Sequence, residues 1–247
     1  MSAYVPLAPL YDELTRDVPY EEFADFYEKL FGICGVSPET VLDLACGTGT
    51  LTCMMAERGY EMIGVDMSPE MLAEASEKAD GLTDCVRPMF LCQSMEELDL
   101  YGTVSAAVCS LDGINYVEPE LLPEVFRRLH LFVEPGGIVI FDINTPEKLR
   151  AQDGEVYIDE TDDVFCVWRA QLDEDENACI YGMDMFTADG DSWIRSQEEH
   201  VEYIYTTDFL TECLENAGFG EVKIYGELRT DAPEPGEQRV FFTARRM

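Results

Sequence analysis

Short apolar runs alternate with amphipathic segments over roughly residues 20 to 143 of the chain. The runs read TVLDLA, YEMIGVD, VRPMFLCQ, TVSAAVCS and GGIVIFDI, and segments such as SPEMLAEASEKA lie between them. Apolar residues three and four positions apart are typical of a helix, and near-continuous apolar runs are typical of strands buried on both faces. The pattern predicts an α/β fold in which helices cover a mostly parallel sheet.

The pattern changes after Asn144. Apolar and polar residues alternate from about residue 150 to 205, with turn signals at DEDEN and ADGD, which indicates a small antiparallel meander. A helix ending at Gly218 follows, and then two strands, GEVKIYGEL and QRVFFTARR. An antiparallel β insertion therefore interrupts the main sheet.

Composition limits the class of protein. The chain has 247 residues, 47% of them hydrophobic, which suits one α/β domain with an insertion. The net charge is -35, from 51 acidic and 16 basic residues. Such a surface repels polyanions, so no nucleic-acid partner is expected.

The chain shows neither targeting nor metal signals. No apolar run approaches the ~20 residues of a membrane span, and the start MSAYVPLAPLYDEL lacks the regions of a signal peptide. The nine cysteines form no C-x-x-C pair and only two histidines occur, so we expect reduced thiols and no metal site. A cytoplasmic protein without a membrane partner is predicted.

The stretch VLDLACGTG places Gly47 and Gly49 between a strand and a helix. Glycine permits positive φ and lets a ligand lie against bare backbone, beside the positive end of the following helix. Asp66 ends the second strand, where an acidic residue in nucleotide-binding α/β folds accepts hydrogen bonds from ribose. The alternatives are a packing turn without a ligand and, for Asp66, a charge at a helix start beside Ser68.

Together these motifs resemble those of class I S-adenosylmethionine-dependent methyltransferases. VLDLACGTG and GYEMIGVDMSPEML resemble the glycine and ribose motifs, and VEPGGIVIFD resembles the turn before the fifth strand. More narrowly, YDELTRDVPYEEF, SLDGINYV and the acidic insertion resemble an uncharacterised bacterial group of small-molecule type. The resemblance implies a Rossmann-like seven-stranded, mostly parallel sheet with an antiparallel last strand, and methyl transfer from S-adenosylmethionine to a small molecule.

The resemblance also divides the chain into three parts. Residues 1–35 would form an N-terminal helical cap that closes over the cofactor. Residues 36–147 and 206–247 would form the cofactor-binding domain, and residues 148–205 a β insertion that serves as a substrate lid.

Individual residues take roles from the resemblance. Asp43 would orient the glycine loop, Asp66 would hold the ribose and Met67 would pack on adenine. Ser94 stands where many members carry an aspartate that bonds the adenine amino group, and Gln93 or the Met95 backbone could substitute. The full cofactor set is Tyr11, Tyr20, Asp43, Ala45, Cys46, Gly47, Gly49, Asp66, Met67, Gln93, Ser94, Met95 and Cys109.

Candidates for the acceptor end follow the fourth strand. Asp112 and Asn115 in LDGINYV are the catalytic candidates, with Tyr116 beside them, and the alternative is that the two polar side chains satisfy loop backbone. His200, on the last insertion strand, faces either the pocket or solvent, and solvent is favoured. His130 lies late in a helix and is interpreted as structural.

The aromatic residues of the insertion have two interpretations. They could form the floor of a substrate pocket, but packing within the sheet is favoured. The residues are Phe165, Trp168, Tyr181 and Trp193.

Two other functions stay open at this point. An NAD-linked oxidoreductase shares the glycine turn and the acid, although the third fingerprint glycine is missing from GTGTLT. A non-catalytic protein that binds S-adenosylmethionine would keep the same motifs. The sequence names neither the acceptor nor the atom methylated, and it fits a monomer or a homodimer.

Overall fold

The computed structural model describes residues 6–247. Residues 1–5 of the predicted N-terminal cap lie outside the described residues. The helices are α1 Tyr11–Leu14, α2 Tyr20–Cys34, α3 Thr50–Glu57, α4 Pro69–Asp80, α5 Leu122–Phe132, α6 Pro146–Ala151 and α7 Thr207–Asn216. The strands are β1 Thr40–Leu44, β2 Glu61–Asp66, β3 Met89–Cys92, β4 Val104–Cys109, β5 Val133–Asn144, β6 Val156–Glu160, β7 Val164–Asp173, β8 Ala178–Asp189, β9 Ser192–Tyr203, β10 Phe219–Gly226 and β11 Arg239–Arg246.

Seven strands form the main sheet in the order β10-β11-β5-β4-β1-β2-β3. The pairs β4–β5, β1–β4, β1–β2 and β2–β3 are parallel, and β11 is antiparallel to both of its neighbours. The predicted fold class is confirmed. Because β1 and β4 are adjacent at the centre and their connections lead to opposite sides, their carboxyl ends frame the crevice in which such sheets bind ligands.

Helices cover both faces of the sheet, and adjacent residues of β11 show the division. Phe241 packs on α2, with its ring centroid 5.0 Å from that of Phe26. Phe242 points to the other face and stacks on Phe141 at 4.8 Å, in the core that α5 and α7 complete. The period-2 alternation of a strand thus serves two separate apolar clusters.

The insertion forms a second, four-stranded antiparallel sheet in the order β6-β7-β8-β9, which we call the insertion sheet. The meander predicted from the alternation is present as β6 to β9. The N-terminal segment packs on this sheet, because Leu7 is buried against Cys166, Met183 and Met185. The Leu7 backbone N–H also donates to Glu198 Oε1 at 2.9 Å.

Helix α6 has no counterpart in the sequence prediction. Thr145 is its N-cap and accepts a hydrogen bond from the Lys148 N–H at 3.3 Å, and Pro146 is its first residue. The NTPEK stretch carries this signal, but six residues are too few to show helical periodicity. None of the helices within residues 6–247 has the length and apolar character needed to cross a membrane.

Candidate active site

A cavity of about 340 Å³ lies at the carboxyl ends of β1, β2 and β4. The insertion sheet and the N-terminal segment form its opposite side through Trp168, His200, Leu7 and Tyr11. Its size and position are those of a small-molecule site in an α/β protein.

Most of the predicted cofactor residues border this cavity. Those that line it are Tyr11, Tyr20, Asp43, Ala45, Cys46, Gly47, Asp66, Met67, Gln93, Ser94 and Met95. The structure therefore brings together residues from the N-terminal segment and from the ends of β1, β2 and β3.

The two glycines of the turn after β1 have different structural roles. Gly47 has φ +53° and a Cβ there would meet nothing within 4 Å, so its backbone is open to the cavity. Gly49 has φ +70°, and a Cβ there would lie 2.8 Å from the Ala75 Cβ. Gly47 thus leaves room for a ligand, whereas Gly49 lets α3 and α4 approach closely and does not line the cavity.

Ala45 adopts a left-handed backbone conformation, with φ +56°. A residue with a Cβ is disfavoured there by roughly 1–2 kcal/mol relative to the right-handed region. A glycine would avoid this strain, and here the turn holds an alanine in the same conformation.

The Asp66 carboxylate holds the turn against the end of β2. Its Oδ2 accepts from the Gly47 N–H at 2.9 Å, and its Oδ1 accepts from the Ser68 N–H at 2.8 Å. Burial raises the pKa of Asp66, and these backbone bonds oppose that shift. Because an ionised carboxylate offers about four acceptor positions, Asp66 keeps acceptor capacity toward the cavity that it lines.

Asp43 is buried below the turn at the end of β1. It accepts a hydrogen bond from Thr52 Oγ1 at 2.5 Å, which ties β1 to the first turn of α3. Burial raises the pKa of Asp43 to about 7, and the nearby negative charge of Asp66 adds to the shift. A cation bound in the cavity would favour the ionised form of this carboxyl group.

The N-terminal segment is attached to the glycine turn through Asp12. Thr48 Oγ1 donates to Asp12 Oδ1 at 2.6 Å, and Lys78 Nζ lies 2.7 Å from Asp12 Oδ2. Burial raises the pKa of Asp12, but the bonds from Lys78 and Thr48 outweigh burial and hold it below its usual value. These contacts attach the segment that carries Tyr11 to the glycine turn, and Tyr11 and Tyr20 both line the cavity.

At the end of β3 the structure distinguishes two of the candidates for adenine recognition, Gln93 and Ser94. The Gln93 amide is engaged by the Asp99 backbone, donating to its carbonyl at 3.1 Å and accepting from its N–H at 3.0 Å. Ser94 Oγ is buried and has no hydrogen-bond partner within residues 6–247. Ser94 Oγ therefore keeps its full hydrogen-bonding capacity, whereas the Gln93 amide already uses one N–H and one lone pair on the Asp99 backbone.

A buried ion-pair network fixes the backbone conformation of the turn after β4. Leu111 and Asp112 have φ +54° and +57°, and Asp142 accepts from both of their N–H groups at 2.9 and 3.0 Å. Arg239 donates to Asp142 and, at 2.7 Å, to Asp112 Oδ1. Burial lowers the pKa of Arg239, but the two carboxylates outweigh it and raise the pKa overall.

Arg239 was missed by the sequence reasoning, although it lines the cavity beside Asp112. The sequence feature that could have indicated it is an arginine directly before the apolar run VFFTA of the last strand. Such a residue needs a carboxylate partner, but the sequence does not say which of many acids supplies it.

Three predicted residues lie away from the cavity lining of the described chain: Gly49, Cys109 and Asn115. The Cys109 Sγ occupies the space beside Gly113, where it would lie 2.7 Å from an added Cβ. The Asn115 amide donates to the Asn144 and Tyr203 carbonyls at 3.2 and 2.9 Å and accepts from the Asn144 N–H at 3.0 Å. Asn115 thus has the loop-satisfying role that was its alternative interpretation.

The insertion sheet contributes to the cavity two residues, His200 and Trp168, for which the sequence analysis favoured other positions. His200 lines the cavity and is only 4% exposed, so the favoured solvent-facing placement is wrong. Trp168 also lines the cavity, and its indole Nε1 is buried with no partner in the described part of the chain. Trp193, for which sheet packing was favoured, is 53% exposed.

The remaining insertion aromatics have packing roles. The Phe165 ring lies 6.2 Å from that of Phe186, and Tyr181 donates to Gln152 Oε1 at 2.6 Å. His130 lies in the last turn of α5, edge-on to Phe219 at 5.4 Å, and does not line the cavity.

Comparisons with known proteins agree with this geometry. A family model described as a methyltransferase domain matches residues 41–137. The Bacillus subtilis protein YqeM, whose name describes it as a methyltransferase, is 29% identical over 98% of this chain and 97% of its own. A demethylmenaquinone methyltransferase of Thermus thermophilus is 32% identical over 60% of this chain and 68% of its own.

A solved structure matches nearly the whole chain. It is that of an S-adenosylmethionine-dependent methyltransferase from Clostridium acetobutylicum, with a TM-score of 0.86 and 28% identity over 98% of both chains. The chain belongs to the class I S-adenosylmethionine-dependent methyltransferases. S-adenosylmethionine is accordingly its expected cofactor, and neither alternative function has support.

Proposed function

We propose that this protein transfers the methyl group of S-adenosylmethionine to a small-molecule acceptor inside the cavity. The observation that carries the proposal is a pair of buried polar atoms on different parts of the cavity lining, Ser94 Oγ and Trp168 Nε1, for which residues 6–247 provide no hydrogen-bond partner. A buried donor or acceptor without a partner is unfavourable, so each marks a place where a ligand atom completes a hydrogen bond.

The residues around the glycine turn fit the cofactor. Asp66 has acceptor capacity for ribose hydroxyls, and Gly47 leaves backbone open for close approach. Ser94 Oγ can bond a polar group of adenine, and Asp43 and Asp66 supply negative charge to a cationic ligand. When bound, S-adenosylmethionine supplies a methyl group on a positively charged sulfur, which attracts a nucleophile.

The other side of the cavity fits an acceptor. Trp168, His200 and Tyr116 line it from the insertion sheet and from the turn after β4. Held beside the cofactor there, an acceptor would gain rate from positioning alone. We assign the insertion sheet as a substrate lid and Asp112 as an acceptor-side residue whose charge is balanced by Arg239.

A small acceptor is supported by size and charge. The cavity has a volume of about 340 Å³, which the cofactor and the acceptor would have to share. The insertion sheet and Leu7 close its side opposite the main sheet. The net charge of -35 repels nucleic acid. Arg239, the arginine that lines the cavity, is paired with the carboxylates of Asp142 and Asp112, so it does not offer its charge to the phosphates of a nucleic acid.

Isotope tracing tests the proposal. The protein is incubated with S-adenosylmethionine carrying a labelled methyl group and a bacterial metabolite extract, and small-molecule products are identified by mass spectrometry. We expect a labelled metabolite that is absent without protein and strongly reduced with Asp66→Ala. Tight binding of the cofactor with no labelled metabolite would contradict methyl transfer to a small molecule.

A further inference from the structure

We propose that Asn115 is a positioning residue for methyl transfer, because its side-chain amide fixes the insertion sheet at the acceptor side of the cavity. The role rests on the proposed function and gives a part in it to a residue that lies off the cavity lining. One buried side chain bonds both places where the chain crosses between the main sheet and the insertion sheet, and this observation carries the inference.

The chain crosses between the two sheets twice. It leaves the main sheet at Asn144, the last residue of β5, and it returns after Tyr203, the last residue of β9. Asn115 Nδ2 donates to the carbonyls of Asn144 and Tyr203 at 3.2 and 2.9 Å, and Asn115 Oδ1 accepts from the Asn144 N–H at 3.0 Å. These bonds use three of the four hydrogen-bonding positions of a side-chain amide. We call this arrangement of Asn115, Asn144 and Tyr203 the junction.

Neighbouring side chains reinforce the junction. The Tyr205 hydroxyl donates to the Val117 carbonyl, which joins the returning chain to the turn that carries Asn115. Asn144 Nδ2 donates to Glu202 Oε2 at 2.7 Å, which joins the end of β5 to β9. Asn115 is 0% exposed, and the other three side chains that make these bonds are also buried. Breaking a buried hydrogen bond leaves an unpaired partner behind, so the junction holds the two sheets in one arrangement.

The junction lies next to the acceptor-side residues of the cavity. Asp112 and Tyr116 line the cavity from the same turn as Asn115, whose backbone N–H donates to the Asp112 carbonyl at 2.8 Å. His200 lines it from β9, three residues before Tyr203, and the centroids of the Tyr116 and His200 rings are 6.1 Å apart. Asn115 therefore sets the separation between the two elements that would hold the acceptor. A displacement of about 1 Å can cost about 100-fold in rate when it misplaces a reactant.

The cofactor side has bonds of its own. Asp66 accepts from the Gly47 and Ser68 N–H groups, whereas the side-chain bonds of Asn115 go to β5 and β9. Loosening the junction should therefore slow methyl transfer while the cofactor still binds. A merely structural role would instead lower the free energy of unfolding and leave the rate of the folded enzyme unchanged.

The kinetic test exchanges one amide at the junction and one away from it. Asn115→Asp keeps the shape of the side chain but replaces its N–H donors with a carboxylate oxygen that faces two carbonyls. Asn177→Asp is the matched control, because exposed Asn177 donates to the Ile204 carbonyl at 2.7 Å within the insertion. In the labelled-methyl assay with metabolite extract, we expect Asn115→Asp to lose about 10- to 100-fold in initial rate and Asn177→Asp to stay within about twofold of wild type. Calorimetry should give S-adenosylhomocysteine affinities within about twofold for all three proteins.

A milder variant tests the same junction without a buried charge. Tyr205→Phe removes only the hydroxyl that donates to the Val117 carbonyl. We expect labelling about fivefold slower than wild type with unchanged affinity for S-adenosylhomocysteine, since one hydrogen bond is lost and the packing is kept. This variant decides the question if Asn115→Asp does not fold.

The outcomes separate the two proposals. Labelling by wild type, together with a folded junction variant that labels within twofold of wild type, overturns the positioning role and leaves methyl transfer standing. A loss of S-adenosylhomocysteine affinity as large as the loss of rate also overturns it. A wild-type protein that labels no metabolite contradicts the proposed function itself, and the positioning role with it.

Hydrogen exchange tests the junction without any acceptor. In proteins bound to S-adenosylhomocysteine, Asn115→Asp should speed amide exchange in β9 by about 10-fold and leave exchange in β1 and β2 unchanged, because only the attachment of the insertion sheet is loosened. Exchange in β9 at the wild-type rate, or an equal acceleration in β1 and β2, would overturn the role of Asn115 between the sheets.

Discussion

The two sides of the cavity are built in different ways. The cofactor side, formed by the turn from Ala45 to Gly49 with Asp66, relies on backbone groups held by residues within about 20 positions of one another. The insertion side relies on Trp168 and His200, which reach the cavity from a separate sheet. A local turn built from backbone groups can be shared by proteins that bind the same cofactor. Side chains on a separate sheet can change without disturbing that turn, which would allow different acceptors.

Arg239 lines the cavity at the turn after β4, and its removal should have the largest effect. Arg239→Met leaves the carboxylates of Asp142 and Asp112 without their shared cation. We expect a loss of about 3–5 kcal/mol in the free energy of unfolding, because a broken buried ion pair leaves uncompensated charge. Urea denaturation measures the loss, and Arg87→Met, an exposed ion-pair partner of Asp80, serves as the control. A loss below about 1 kcal/mol would show that the network is not structural.

The buried acid of the cofactor side should make stability depend on pH. Burial raises the pKa of Asp43 from its ordinary value of 3.8 to about 7, so folding favours its protonated form. Its ionisation penalty is absent below about pH 4, grows between pH 4 and 7, and is complete above pH 7. Asp43→Asn should therefore be more stable than wild type by about 2–4 kcal/mol above pH 7, with little difference at pH 4.

Denaturation of both proteins across this pH range measures the difference. A wild-type minus Asp43→Asn difference that stays constant with pH would contradict the account. Saturating S-adenosylmethionine should reduce the difference, because a nearby cation favours the ionised carboxylate.

Affinity for the cofactor should depend on the carboxylate after β2. Asp66→Ala removes the proposed ribose acceptor and the hydrogen bonds from the Gly47 and Ser68 N–H groups. We expect S-adenosylhomocysteine to bind about 2 kcal/mol more weakly, roughly 30-fold, by titration calorimetry. Asp162→Ala, at an exposed loop of the insertion, is the matched control. Unchanged affinity of Asp66→Ala would show that the ribose does not lie there.

The link between the N-terminal segment and the turn should have the smallest effect. Lys78→Met breaks a partly exposed ion pair with Asp12, so the free energy of unfolding should fall by no more than about 1 kcal/mol. Cofactor release should nevertheless be faster by stopped-flow fluorescence, because Asp12 attaches the segment that carries Tyr11 to the glycine turn. Release at the wild-type rate would show that the segment closes without this contact.

The contrast between the two sides also explains what the sequence could predict. The α/β alternation, the glycine turn and the position of Asp66 follow from local patterns, and the structure agrees with each of them. Gly47 and Gly49 look alike in the sequence. In the structure the space beside Gly47 is open, whereas Ala75 of α4 packs against Gly49, and the sequence does not show this difference.

The insertion side could not be predicted in the same way. Whether His200 faces the cavity depends on which face of the insertion sheet meets the main sheet, and alternation alone leaves both faces open. The structure shows that one face of β9 is buried and polar, because it carries Glu198, His200 and Glu202 at alternate positions. Arg239 finds Asp142 across 97 positions of sequence, a pairing that only strand order determines.

The most direct test of the central claim is a crystal structure with S-adenosylhomocysteine. The account predicts ribose hydroxyls on Asp66, a polar adenine atom within hydrogen-bond distance of Ser94 Oγ, and the homocysteine sulfur facing open space in front of Trp168 and His200. An adenosyl group lying against the insertion sheet, with the glycine turn uncovered, would contradict it.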